Sequence, residues 1–188
     1  FLFHDDIMDG SRLRRGRPTI HRMVGKNNAI VVGDLALGLG IDFLLRTGSI
    51  QIVRKYNQAY LHTCEGQLLD EFLKKRNKVS GADLHKLYSL KTAYYTAAGP
   101  LAVGALIAGD KNIKAYRSIG LMLGELFQMN DDLADKKREK TSFLKKTKID
   151  IFYEIEMLSK KCRGVIEKSL IDKKSKTLLL QILKFIAR

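Results

Sequence analysis

Apolar positions along the chain recur at three- and four-residue steps, the period of one face of an α-helix. Between Gln51 and Lys75, one such face holds Ile52, Tyr56, Ala59, Thr63, Gly66, Leu69 and Leu73. The stretch Asn28 to Leu45 reads as a long apolar helix that carries Asp34. Ser80 is an N-cap candidate with Asp83 three residues later, which predicts a helix running to about Ala98. Three further helices are predicted over Lys114–Asp135, Ile149–Lys168 and Lys173–Ala187. Period-two alternation is absent and Asp9-Gly10 sits in a helix-ending context, so no strand is expected. The predicted fold class is all-α, a single domain of long helices over residues 1–188, without repeats or linkers.

One run needs a membrane test. Thr92 to Gly109 carries no charge, and its length approaches the ~20 residues that span a bilayer. Gly99-Pro100 interrupts its middle, and Thr92, Tyr94, Tyr95 and Thr96 make its first half semi-polar. It reads as a kinked, buried helix pair, and no transmembrane segment is expected. The composition, 45% hydrophobic and 29% charged, is globular and removes disordered and low-complexity classes. Cys64 and Cys162 have no metal-ligand spacing and suggest a reducing, cytoplasmic setting, with an organellar form left open. No signal peptide is visible, since Phe1 opens almost directly on charged residues.

The net charge of +14 invites a nucleic-acid reading, so its distribution matters. From Lys136 onward the chain holds 16 basic and 6 acidic residues, whereas the first 135 residues are nearly balanced. The acids instead gather as Asp5-Asp6-x-x-Asp9 and Asp131-Asp132-x-x-Asp135. A nucleic-acid surface would not concentrate carboxylates in this way. On a helix, Asp5 and Asp9 stand one turn apart, as do Asp131 and Asp135, and like charges there are destabilising until something offsets them. A hard divalent cation with oxygen ligands does so, and Mg²⁺ takes carboxylates together with substrate phosphates. Arg14-Arg15-Gly16-Arg17-Pro18-Thr19 follows the first cluster and offers guanidiniums that fork onto phosphate oxygens. Two acidic clusters across a cleft would require cations, and the cations a polyanion such as a diphosphate. Taken singly, Gln67 with Asp70 and Lys91-Thr92 read as solvated or capping residues, and Asp34 beside Gly33 as a partly buried acid paired locally.

The ordered set is more specific. Asp-Asp-x-x-Asp, Arg-Arg-Gly-x-Pro-Thr, Gly33-Asp34, Gly66-Gln67-x-x-Asp70, Lys91-Thr92 and Phe127-Gln128-x-x-Asp131-Asp132-x-x-Asp135 resembles the trans-isoprenyl diphosphate synthases of short-chain type. The resemblance implies the isoprenoid synthase fold, a bundle of long helices around a central cleft, usually as a homodimer. It implies an enzyme that joins isopentenyl diphosphate to an allylic diphosphate, with Mg²⁺ as cofactor and no nucleic acid as partner. Carried over residue by residue, Asp5, Asp9 and Asp70 would hold metal on one wall and Asp131 with Asp135 on the other. Asp6 and Asp132 would support them. Lys91 and Arg14 would contact the allylic diphosphate, while Arg15 and Phe127 would face isopentenyl diphosphate. Gln67 and Lys140 would also bind substrate. Thr92 and Gln128 would stand beside the cationic carbon after ionisation.

Two family features are not in this sequence: a Gly-Lys-x-x-Arg segment before the first motif and a Gly-Lys loop after the second. The N-terminal segment is therefore read as missing, and a loop after Asp135 as left out. A non-catalytic synthase-like subunit is the competing reading, opposed by the six intact aspartates. A class I terpene cyclase is opposed by an all-acid second motif. Phe1, one helical turn before Asp5, would floor the path of the growing chain and points to a C15 to C20 product.

Overall fold

The computed structural model describes residues 1–135 and 143–187, with the Asp135 side chain outside that set. The expected loop after Asp135 and the substrate role of Lys140 both fall outside the described residues. The chain divides into two compact units, Phe1–Val53 and Arg54–Arg188.

The first unit holds α1 (Leu2–Met8), strands β1 (Leu13–Arg14) and β2 (Arg17–Pro18), and helices α2 (Ile20–Val24) and α3 (Lys26–Leu45). The strands correct the expectation of none. They pair antiparallel, Leu13 with Pro18 and Arg14 with Arg17, around a two-residue turn. Both turn residues have positive φ, Arg15 at 53° and Gly16 at 75°, as type I′ hairpins require. An arginine at a position favouring Asn or Gly hides this hairpin from sequence reading. Helices α1 and α2 both pack on α3. Asp34 is exposed rather than partly buried, and its carboxylate meets His4 at 3.4 Å. Among the described residues, α3 is the one helix long and apolar enough to cross a membrane. Val31, Leu35, Leu39 and Phe43 are all more than half exposed along it.

Helix α4 (Ile50–Lys74) leads into the second unit, which contains α5 (Gly81–Tyr88), a π-helical stretch (Ser89–Ala98), α6 (Gly99–Ile107), α7 (Ile113–Asp135), a 3₁₀ turn (Phe143–Lys145), α8 (Ile151–Lys168) and α9 (Lys173–Ile186). Ser80 caps α5 as expected: its hydroxyl accepts the Asp83 amide while the Asp83 carboxylate returns to the Ser80 amide. The helix predicted to run to Ala98 does continue, but its second half is wound in π form. Pro100 falls within the first turn of α6, directly after the π-helical stretch. Asp150 and Asp172 cap α8 and α9 through their carboxylates.

Two apolar clusters hold this unit together. One joins Ile119, Leu123 and Leu126 of α7 to Cys162 and Ile166 of α8 and Leu179 and Leu183 of α9. The other joins Leu73, Leu84, Leu87, Tyr88, Met129, Leu144 and Ile151. Burial pushes the Cys162 thiol up to about 12, so it behaves as an inert apolar group. The seam between α7 and the π-helix is backbone on backbone: a Cβ on Gly124 would lie 2.4 Å from Ala93 Cα.

Candidate active site

In the first unit, α1 presents Asp5 and Asp6, and Asp9 caps its C-terminal end in the open. Asp6 is buried, and Arg14 from β1 reaches it with Nε at 2.8 Å and a terminal nitrogen at 2.7 Å. The same guanidinium lies 3.6 Å from Asp5. Arg14 therefore balances two carboxylates of the first motif. The hairpin explains how a residue eight positions later folds back onto α1. Arg15 stands exposed at the turn. Buried Thr19 closes this loop by donating its hydroxyl to the Ser11 carbonyl at 2.8 Å.

In the second unit, Asp70 of α4 is only 3% exposed. Lys91 donates to its Oδ2 at 2.7 Å from the π-helical stretch. Lys74, one turn further along α4, lies 3.0 Å from the same oxygen and 2.7 Å from Glu71. Gly66 makes the Lys91 approach possible, since a Cβ there would lie 2.2 Å from the Lys91 nitrogen. The spacing Gly66-x-x-x-Asp70 thus places a contact point and a carboxylate one turn apart on the same face. Gln67 is half-buried on that helix.

The next π-helical residue begins a chain of polar side chains. Buried Thr92 donates to Gln128 Oε1 at 2.7 Å, and Gln128 Nε2 donates to Asp132 Oδ1 at 2.7 Å. Tyr88 donates its hydroxyl to Asp132 Oδ2 at 2.6 Å. Burial above all, with the adjacent Asp132 charge, pushes the Tyr88 phenol well above its ordinary range, so it stays a donor. Asp131 and Phe127 are exposed on α7, one turn apart. The π form matters here because such windings turn side chains out of the α register, and they concentrate at functional sites.

Sequence reasoning missed Lys74 and Tyr88. Lys74 was findable, four residues after Asp70 on a predicted helix. Tyr88 was not, because its partner lies 44 positions away. His85 was missed for the same reason. Its ring reaches Glu125 of α7 at 3.4 Å and Glu154 of α8 at 3.3 Å.

The helical fold is the isoprenoid synthase fold. The polyprenyl synthetase family model matches residues 1–180, and the chain belongs to that family. It is 34% identical over 140 residues to geranylfarnesyl diphosphate synthase of Natronomonas pharaonis, covering 71% of this chain and 41% of that protein. It is 32% identical over 156 residues to the short chain isoprenyl diphosphate synthase of Methanothermobacter thermautotrophicus, covering 80% of this chain and 48% of that one. The chain thus spans less than half the length of these relatives. The solved geranylgeranyl pyrophosphate synthase of Lactobacillus brevis superposes with a TM-score of 0.87 over the whole chain and 74% of its own, at 21% identity, which is a likeness of fold.

Proposed function

We propose that the protein is a Mg²⁺-dependent prenyltransferase that condenses isopentenyl diphosphate with an allylic diphosphate to a C15 to C20 prenyl diphosphate. The observation that carries this reading is the pairing of Lys91 with Asp70 and of the adjacent Thr92 with Gln128. One π-helical step delivers a cation for a diphosphate and an oxygen pair for a carbocation. The candidate ligands Asp5, Asp9, Asp70, Asp131 and Asp135 are all carboxylates, a hard oxygen set that fits Mg²⁺ rather than a soft metal. Asp6 and Asp132 support them, each already engaged by hydrogen bonds. When bound, the metal neutralises negative charge as the diphosphate leaves.

The chain's own residues do the remainder. Lys91 and Arg14 hold the allylic diphosphate, and Arg15, Gln67 and Lys140 add to substrate binding. The oxygens of Thr92 and Gln128 stabilise the allylic cation, Phe127 flanks isopentenyl diphosphate, and the apolar helices keep water from the cation. The alkene then attacks through C4, and a proton leaves to the departed diphosphate.

The exposed apolar face of α3 supports a homodimer, with a second copy of the chain covering Val31, Leu35, Leu39 and Phe43. A cytoplasmic protein without a nucleic-acid partner is consistent with these assignments. The test is incubation with labelled isopentenyl diphosphate, an allylic diphosphate and Mg²⁺. A C15 to C20 product that disappears in Asp131→Ala, while the variant still folds, is expected. Full turnover by Asp131→Ala, or none by the unaltered protein, overturns the reading.

A further inference from the structure

We propose that Tyr88 is a positioning residue for prenyl transfer, holding Asp132 at the place where that carboxylate fixes the polarity of the Thr92–Gln128 pair; this rests on the function proposed above. An ionised carboxylate only accepts hydrogen bonds. Tyr88 takes one Asp132 oxygen at 2.6 Å and Gln128 Nε2 takes the other at 2.7 Å. Reversing the Gln128 amide would set its carbonyl against that carboxylate, two acceptors face to face. The amide therefore keeps its NH₂ on Asp132 and its carbonyl on Thr92. The single Thr92 hydroxyl proton is then committed to Gln128, and what remains on the Thr92 oxygen is lone-pair density. That polarity suits an allylic cation, whereas the reverse would aim a proton at it.

Tyr88 is suited to hold that carboxylate in place. It is 2% exposed and wedged in the apolar cluster with Leu84, Leu87 and Met129, so its hydroxyl is held at one point. A phenylalanine would fill the same core volume. The hydroxyl is the part that reaches Asp132, and it carries the chain of bonds across from α5 to α7. The sense of the whole series Tyr88, Asp132, Gln128, Thr92 follows from one acceptor-only group at its centre.

The test compares Tyr88→Phe, Asp132→Asn and the double variant in the full chain. For Tyr88→Phe, kcat should fall about tenfold with KM for both diphosphates held within about twofold, as expected for losing one buried bond to a charged acceptor. Asparagine at 132 can donate as well as accept, so Asp132→Asn should cost more. Adding Tyr88→Phe to it should then cost little, because the sense of the relay is already lost. Independently of substrate, the Gln128 side-chain amide protons should exchange with solvent slowly in the unaltered protein and faster in Tyr88→Phe. Unchanged kcat in Tyr88→Phe, an additive double variant, or equal amide exchange overturns the proposal. The exchange measurement needs no turnover, so a failure of the relay is distinguishable from a failure of the prenyltransferase reading.

Discussion

Gly66→Ala tests how the site is assembled. The added Cβ would sit 2.2 Å from the Lys91 nitrogen, 2.5 Å from its Cα and 2.6 Å from the Leu90 carbonyl carbon, where ordinary contact begins at 3.4 Å. All three are backbone atoms, so no side chain can swing aside. Helix α4 and the π-helical stretch must part by about 1 Å, and overpacking of this kind costs about 1–3 kcal/mol. Alanine's better helix propensity returns up to about 1 kcal/mol. Because only backbone can yield, the cost falls at the upper end of that range, and a net of about 1–2 kcal/mol corresponds, for a chain of this size, to a melting temperature lower by roughly 2–8 °C. Function should suffer more than stability, because the same movement stretches the 2.7 Å Lys91–Asp70 bond toward the limit of a hydrogen bond. Turnover should fall more than tenfold, with the largest rise in KM on the allylic diphosphate. Gly104→Ala is the control: it lies within α6 with nothing within 4 Å of its added Cβ. It should melt higher, by a gain of about 0.5–1 kcal/mol. Differential scanning calorimetry and steady-state kinetics on both variants decide the matter. A Gly66→Ala protein that melts at or above the unaltered one refutes the close-contact reasoning.

Two other outcomes follow from single residues. The Glu125 hydrogen bond, followed by the charges of Glu125 and Glu154 after some opposing desolvation, raises the His85 pKa above its ordinary 6.5. The imidazolium therefore stabilises the folded state below about pH 6.5, and that contribution is lost as pH climbs through the raised value. A melting-temperature series across this range should decline more in the unaltered protein than in His85→Gln, and parallel curves would refute the assignment. Phe1→Ala, one turn before Asp5, should lengthen the product by at least one five-carbon unit while turnover persists. An unchanged product distribution on chromatography, or an unaltered protein already making C30 or longer, would refute the floor.

The helices were legible because their information is local. A 3.6-residue apolar period and the pairing of Ser80 with Asp83 each act within a few residues. The motif order was likewise enough to place the chain in its family and to name Asp5, Asp70, Lys91, Thr92, Gln128 and Asp131 as candidates. What only tertiary structure decided is which of them meet. Arg14 returns to Asp6 because Arg15 and Gly16 adopt positive φ, which suits Gly16 but which the hairpin imposes on Arg15 against its residue preference. Lys91 reaches Asp70 because the helix expected to be regular is wound in π form beside Gly66, and winding is settled by packing against α4 and α7. The bond from Tyr88 to Asp132 exists only after α5 and α7 are laid together. Periodicity states which face of a helix is buried. It carries no record of what lies opposite, since contacts across 21 to 44 residues depend on the sum of all the packing between them.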